Sequence, residues 1–260
     1  MKNKWRTILK ILLVLLLIGG MVCLIIRQVE YYLGDQSYDE ARRIAALLEK
    51  VQNADSSSDE TDPYVELLQD IDLEALRETN EDVIGWLCIP ETDISYPLVQ
   101  GTDNDYYLKH TWDKKSNSVG SVYMEYQNAA DFSDFNTIIY GHNMYDDSMF
   151  GGLSKYKNTK YWKEHPSIYV VNDDGVHRYD IFAAYKADVD SIAYGMVIET
   201  TRRKTEFIRL SLEESVLDTG IYPTTEDKIL TISTCSGSGY GTRWIVQGVL
   251  EQEASAWAAN

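Results

Sequence analysis

The stretch Ile229-Leu230-Thr231-Ile232-Ser233-Thr234-Cys235-Ser236-Gly237-Ser238-Gly239 runs from an alternation of branched apolar and hydroxyl residues into four small ones. The alternation has the period of two expected of a half-buried strand, and the Ser and Gly run that follows cannot continue it. Cys235 therefore stands where a strand gives way to a loop, a place where a substrate can reach a thiol whose backbone stays fixed. An unperturbed thiol, with a pKa near ~8.5, is only slightly ionised at neutral pH, so chemistry at Cys235 needs a base or a positive charge close by. Trp244 to Leu250 reads as the next strand, and Arg243 opens it. If that strand returns antiparallel through the glycine-rich loop, Arg243 comes back beside Cys235, where a guanidinium can favour the thiolate and hold an oxyanion.

Working outward, short runs rich in Val, Ile and Tyr alternate with Gly, Asn and Asp from Val83 onward. Strands are expected at Val83 to Ile89, Ile94 to Val99, Ser118 to Met124, Thr137 to Tyr140, Ile168 to Val171, Val176 to Tyr185, Ile229 to Thr234 and Trp244 to Leu250. Asn172, Asp173, Asp174 and Gly175 form a hairpin signal between two of them. Helical insertions are expected at Ser148 to Trp162 and at Thr205 to Leu217, with Gly220 as a stop, and helical spacing also covers Val65 to Leu76. The fold class is thus mainly β with helical insertions, a small closed or nearly closed barrel. Nineteen Tyr against five Phe point to half-buried strand positions and to a groove lined with phenols.

His142 lies in Tyr140-Gly141-His142-Asn143-Met144, again at the end of an apolar strand. His110 beside Lys109, His165 before Pro166 and His177 before Arg178 have ordinary loop or surface settings. A Cys, His and Arg site is one reading of this pattern, and a hydrogen-bonded turn histidine is the other. The histidines and cysteines lack close ligand spacing, so no metal and no cofactor is expected.

Ile11 to Ile26 is uncharged and apolar, and with Ile8 and Leu9 it approaches the ~20 residues that span a bilayer. Lys2, Lys4, Arg6 and Lys10 precede it, so a single-pass anchor with its N-terminus in the cytoplasm and the remainder outside is expected. The residues after the run, Arg27 to Tyr32, offer no small-residue site for cleavage of a signal peptide. Five of the 24 basic residues and none of the 41 acidic ones fall in the first 27, which leaves 19 against 41 for the rest. So acidic a surface repels phosphate backbones, and no nucleic acid is expected as a partner. Cysteines at 23, 88 and 235 give no disulfide framework, and Cys88, beside Trp86 and Leu87, reads as a small buried hydrophobe. The resulting division is a cytoplasmic N-terminus at 1–7, a transmembrane anchor at 8–26, a helical stalk at 27–53, an acidic linker at 54–63, a catalytic domain at 64–252 and a C-terminal tail at 253–260. Removal of residues 1–63 is expected to leave a self-sufficient soluble domain.

Thr231, Ile232, Ser233, Thr234 and Cys235 match the Thr, apolar, any residue, Thr, Cys signature of the sortases, and Arg243 follows at eight residues. Tyr140 to Met144 resembles the histidine motif of class B, as do Asp82 to Trp86, Ile94 to Gln100, Ser148 to Leu153 and the helix before the cysteine strand. The chain is similar to class B sortases over roughly residues 64 to 250. The resemblance implies a sortase-type eight-stranded β-barrel behind the anchor, in the cell membrane of a Gram-positive organism with the catalytic domain extracellular. It implies a cysteine transpeptidase of the thiol-protease type, in which Cys235 attacks the Thr carbonyl of a C-terminal sorting motif and an amine resolves the thioacyl enzyme. His142 would move the protons, Arg243 and the Ser236 amide would hold the oxyanion, and Thr234 would help position substrate. Implied partners are surface proteins carrying the motif and an acceptor amine of a cell-wall precursor, or of a pilin if the enzyme polymerises pili. Ser236 to Gly239 is small where class B relatives carry bulky and acidic residues, which leaves a carboxylate partner for His142 unassigned. A papain-like protease has the nucleophile before the histidine and near a helix N-terminus, the reverse of this chain. A catalytically silent surface binding module would carry Cys235 as a buried thiol.

Overall fold

Each apolar run read as extended is a strand in the computed structural model, which describes residues 2–45, 62–195, 198–235 and 241–251. The strands are β1 (Val83–Cys88), β2 (Ser95–Val99), β3 (Val122–Met124), β4 (Asn136–Tyr140), β5 (Ser167–Asn172), β6 (Gly175–Asp188), β7 (Ile229–Cys235) and β8 (Thr242–Leu250). They close into a barrel in the order β1-β2-β3-β4-β7-β8-β6-β5, so no edge is left unpaired. β2 pairs parallel with β3 and β4 parallel with β7, while β7 and β8 pair antiparallel as the sequence implies. One core cluster includes Ile139, Leu230, Ile232 and Val246. A second lies under the helix Thr201–Glu214, where Phe207 and Ile208 pack with Phe182, Tyr185, Ile229 and Ile245.

Local chemistry accounts for the departures from expectation. Residues 65–76 form two short helices, Pro63–Leu68 and Leu73–Arg77, because Asp72 caps the second, its carboxylate accepting from Ala75 N at 2.9 Å. The segment 148–162 contains a 3-10 helix, Gly151–Lys157, followed by an α-helix, Thr159–Glu164. Of residues 118–124 only 122–124 are strand, since Gly120 turns the chain with φ +63°. The helix before β7 starts earlier than expected, after the capping Thr200, and ends before Ser215, where Val216 N donates to Ala184 O at 2.8 Å. Gly220 lies beyond it and is not its stop.

The largest difference concerns the N-terminal helix α1, Lys2–Ile44, whose 43 residues span about 65 Å at 1.5 Å each. Its first part is apolar and exposed, long and apolar enough to cross a membrane. Its last part does not stand apart as a stalk. Tyr38, Ala41 and Ala45, spaced at three and four residues, are buried in the barrel's own core cluster. Tyr38 meets Tyr96 edge-on at 5.1 Å, and Arg42 lies over the Tyr96 ring. Trp112 Nε1 donates to Ser37 O at 2.9 Å, Asn117 Nδ2 to Glu30 O at 2.9 Å, and Ser118 Oγ to Glu30 Oε2 at 2.6 Å. Over residues 37–45 the periodicity is that of a helix packed on a partner, and the partner is the barrel. The rest of the stalk, most of the acidic linker and the tail lie outside the described residues. Asp62, at the end of the linker, accepts from Tyr169 Oη at 2.6 Å and pairs with Arg178 at 3.2 Å.

A chain beginning at residue 28 keeps these contacts, and one beginning at Tyr64 loses them while uncovering Trp112, Tyr96 and Val119. The shorter chain is expected to be less stable by about 3 kcal/mol or more, roughly the cost of emptying one large aromatic site. In differential scanning calorimetry its midpoint should fall about 6–12 °C below that of the longer chain. Equal midpoints would show that the docked helix adds nothing.

Candidate active site

The parallel register of β4 and β7 sets Tyr140 against Ser233, and Gly141 N donates to Ser233 O at 3.2 Å one step further on. His142 therefore leaves the barrel at the rim where β7 ends in Cys235. β8 begins at the same rim, and Cys235 and Arg243 are paired residues across β7 and β8. Three adjacent strands thus bring the backbones of His142, Cys235 and Arg243 to one end of the barrel. Arg243 is half-buried, and its Nη1 donates to Thr242 O at 3.1 Å. Ser236 lies outside the described residues.

The backbone of His142 is fixed on two sides. Its carbonyl accepts from Phe150 N at 2.9 Å, and Asn143 pairs with Met149. A side chain at Gly141 would enter the Phe150 ring at 2.7 Å, so only glycine fits there. The imidazole Nε2 lies 2.8 Å from Leu108 O. A carbonyl only accepts, so Nε2 carries the proton and Nδ1 is the nitrogen left to exchange one. The group that orients His142 is therefore a backbone carbonyl. The turn that carries it is anchored by the preceding Tyr107, whose hydroxyl donates to Asp82 Oδ2 at 2.6 Å and accepts from Asn80 Nδ2 at 2.9 Å. Burial, aided by the Asp82 charge, raises the Tyr107 phenol far above its usual range and keeps it a donor. Asp82, singled out in the sequence just before β1, thus anchors the turn that carries Leu108.

Thr231 and Thr234 have structural surroundings. Thr231 Oγ1 donates to Asn136 Oδ1 at 2.7 Å and accepts from Gln247 Nε2 at 3.0 Å, and Asn136 Nδ2 reaches Ala193 O at 3.1 Å. This buried ladder ties β4, β7 and β8 to the short 3-10 turn Ile192–Tyr194. Thr234, expected to help position substrate, is 3% exposed and packs on the strand face opposite Ser233. Its hydroxyl is buried without a hydrogen-bond partner among the described residues, and Ser233 on the other face is 1% exposed. Trp244 is the cross-strand partner of Thr234.

Beside the rim runs a row of phenols that composition hinted at without naming. Tyr194 Oη and Ser233 Oγ are 2.7 Å apart, and the Tyr194 ring stacks with Tyr140 at 6.4 Å. Tyr140 Oη donates at 3.0 Å to Glu125 Oε2, which also accepts from Asn104 Nδ2 at 2.6 Å. Burial first, and the Glu125 charge second, push the Tyr140 phenol far above its normal value.

The remaining candidates sit elsewhere. His110 faces Tyr106 O, His165 faces Pro90 O and His177 faces Asn172 Oδ1. Burial raises the Cys88 thiol to about 11, against a smaller opposing effect of the Ser95 hydroxyl. Among the described residues no group of three or more His, Cys, Asp and Glu is placed to hold a metal.

Residues 87–251 match the family model of the sortase domain. The chain is 35% identical over 181 residues to sortase B of Listeria monocytogenes, an alignment covering 69% of this chain and 74% of that protein. It is 30% identical over 162 residues to sortase B of Staphylococcus aureus, with 62% and 66% covered. A crystal structure of sortase B from B. anthracis in complex with AAEK1 superposes with a TM-score of 0.70 at 28% identity, over 86% of this chain and 99% of that one. In the sortase B–substrate complex of S. aureus the TM-score is 0.72 at 24% identity, over 87% and 100%, a likeness of fold. Barrel order, the meeting of three strand ends and these similarities agree, and the chain belongs to the sortase family, in its class B.

Proposed function

We propose that this sortase cleaves a C-terminal sorting motif after Thr and joins the Thr carbonyl to an amine of a cell-wall precursor. The observation that carries the reading is the register that ends β4 and β7 and starts β8 at one rim, with His142, Cys235 and Arg243 at those three points. In this reading the Cys235 thiolate attacks the Thr carbonyl carbon and the C–N bond to the next residue breaks. His142 Nδ1, having taken the thiol proton of Cys235 to form that thiolate, gives it to the departing amine, while the Leu108 carbonyl keeps Nε2–H in place. The incoming amine then loses a proton to Nδ1 and attacks the thioester, the C–S bond breaks, and the thiolate is restored. Arg243 and the Ser236 amide hold the oxyanion in both halves. Thr234, buried under the strand end, helps position the substrate.

The basic residues before the apolar part of α1 favour a cytoplasmic N-terminus and an extracellular barrel. Partners in this reading are surface proteins bearing the motif and the precursor amine, with a pilin amine giving polymerisation instead.

Cys235→Ala should abolish transpeptidation of a sorting-motif peptide library onto an amine panel while the far-UV circular dichroism spectrum stays that of the parent. Residue-resolved mass spectrometry after iodoacetamide at pH 7.5 should find Cys235 modified. Cys88 should be almost untouched, since a thiol near 11 is ionised in only about three molecules per ten thousand. Slow, equal modification of both would favour a silent binding module. Arg243→Lys keeps the charge and loses the planar fork, so turnover should fall about a hundredfold, corresponding to ~3 kcal/mol, with Cys235 still alkylated. Near-normal turnover would remove Arg243 from the site.

A further inference from the structure

The docked half of α1 meets the cradle of His142. Gly120 lies directly against the histidine ring: a Cβ there would stand 2.8 Å from His142 Cδ2, 2.8 Å from Tyr107 O and 2.9 Å from Leu108 O. Gly120 thus fills the angle between the imidazole and the carbonyl that holds its Nε2. The Gly120 carbonyl is in turn the acceptor of the Tyr38 hydroxyl, which comes from α1 and is buried. The segment around Gly120 is clamped to the same helix by Glu30, through Asn117 and Ser118, and Gly34 closes on Val119. Three residues after His142, the exposed loop residue Tyr145 lies under Arg27 of α1 at 5.3 Å. The Gly120 wall of the histidine's seat therefore rests on α1.

We propose that Tyr38 is a positioning residue for His142, acting through the Gly120 carbonyl, so that the helix leading from the membrane anchor is part of the active-site scaffold. The proposal rests on the reading of His142 as the proton-transfer group. Tyr38 touches neither substrate nor the histidine; it fixes the height of the Gly120 peptide, and the peptide fixes the ring and its bond to Leu108 O. Burial keeps the Tyr38 phenol protonated far above neutral pH, so its donor is always present. A small displacement of a reacting group slows chemistry more than it weakens binding, which separates this role from a purely stabilising one.

The test uses the full chain in detergent micelles, comparing the parent with Tyr38→Phe, which removes only the hydroxyl, and Gly120→Ala, which pushes on the ring directly. Turnover is measured with the best peptide from a sorting-motif library and hydroxylamine as the amine. His142 ring nitrogens are read by two-bond proton–nitrogen correlation, assigned with His142→Gln. Tyr38→Phe should lower kcat about tenfold with KM little changed. It should also disturb the pattern of a single Nε2-protonated tautomer, and Gly120→Ala should do so more strongly. Parent-like kcat and His142 signals in Tyr38→Phe would overturn the proposal, and so would a lowered melting midpoint with unchanged kcat per folded molecule. If the parent itself shows no transpeptidation, the proposed function fails, and the ring signals still decide whether Tyr38 holds His142.

Discussion

Tyr140 and Ser233 are register partners across two parallel strands, and that pairing determines what the rest of the barrel can bring together. Parallel neighbours end at the same side of a sheet, so the residues just past them, His142 and Cys235, share a rim although 93 positions separate them. Such a pair needs a long crossover, and β5, β6 and the helix Thr201–Glu214 supply it. Antiparallel β8 then returns its first residues, among them Arg243, to that rim. A slip of one residue between β4 and β7 would turn every side chain of one strand to the wrong face and put position 235 out of step with His142. The Thr231–Asn136–Gln247 ladder opposes that slip, because its three buried polar side chains match in only one register.

Features carried by side-chain type at fixed spacing were legible in the sequence. Strand alternation gave the eight strands, and the cysteine at a strand end, the arginine opening the next strand and the histidine after an apolar run gave the rim residues. What could not be read was of two kinds. The Leu108 carbonyl that orients His142 is a backbone group, which leaves no mark on residue identity at position 108. The docking of α1 depends on what lies opposite Tyr38, Ala41 and Ala45, and an amphipathic stripe looks the same whether it faces a barrel or another partner.

Three phenols share one arrangement, in which a tyrosine packs by its ring and is satisfied by a carboxylate at its tip. Tyr107 on Asp82, Tyr140 on Glu125 and Tyr169 on Asp62 each place a hydroxyl against a carboxylate at 2.6 to 3.0 Å. A phenol suits a barrel this size because it reaches from core to rim and ends in a directed bond, where phenylalanine would leave the carboxylate without that donor. Part of the chain's acidity is therefore structural, with these carboxylates accepting bonds that tie loops to strands.

Because α1 runs without interruption from its apolar half onto the barrel, it is a ruler and a rotational key rather than a tether. Each residue added between the apolar run and Glu30 would lift the barrel by about 1.5 Å and turn it by about 100° about the helix axis. A flexible leash would let the catalytic rim sample every heading above the lipid. A continuous helix sets one heading, so the spacing between Ile26 and Glu30 encodes how the rim is turned relative to the apolar run.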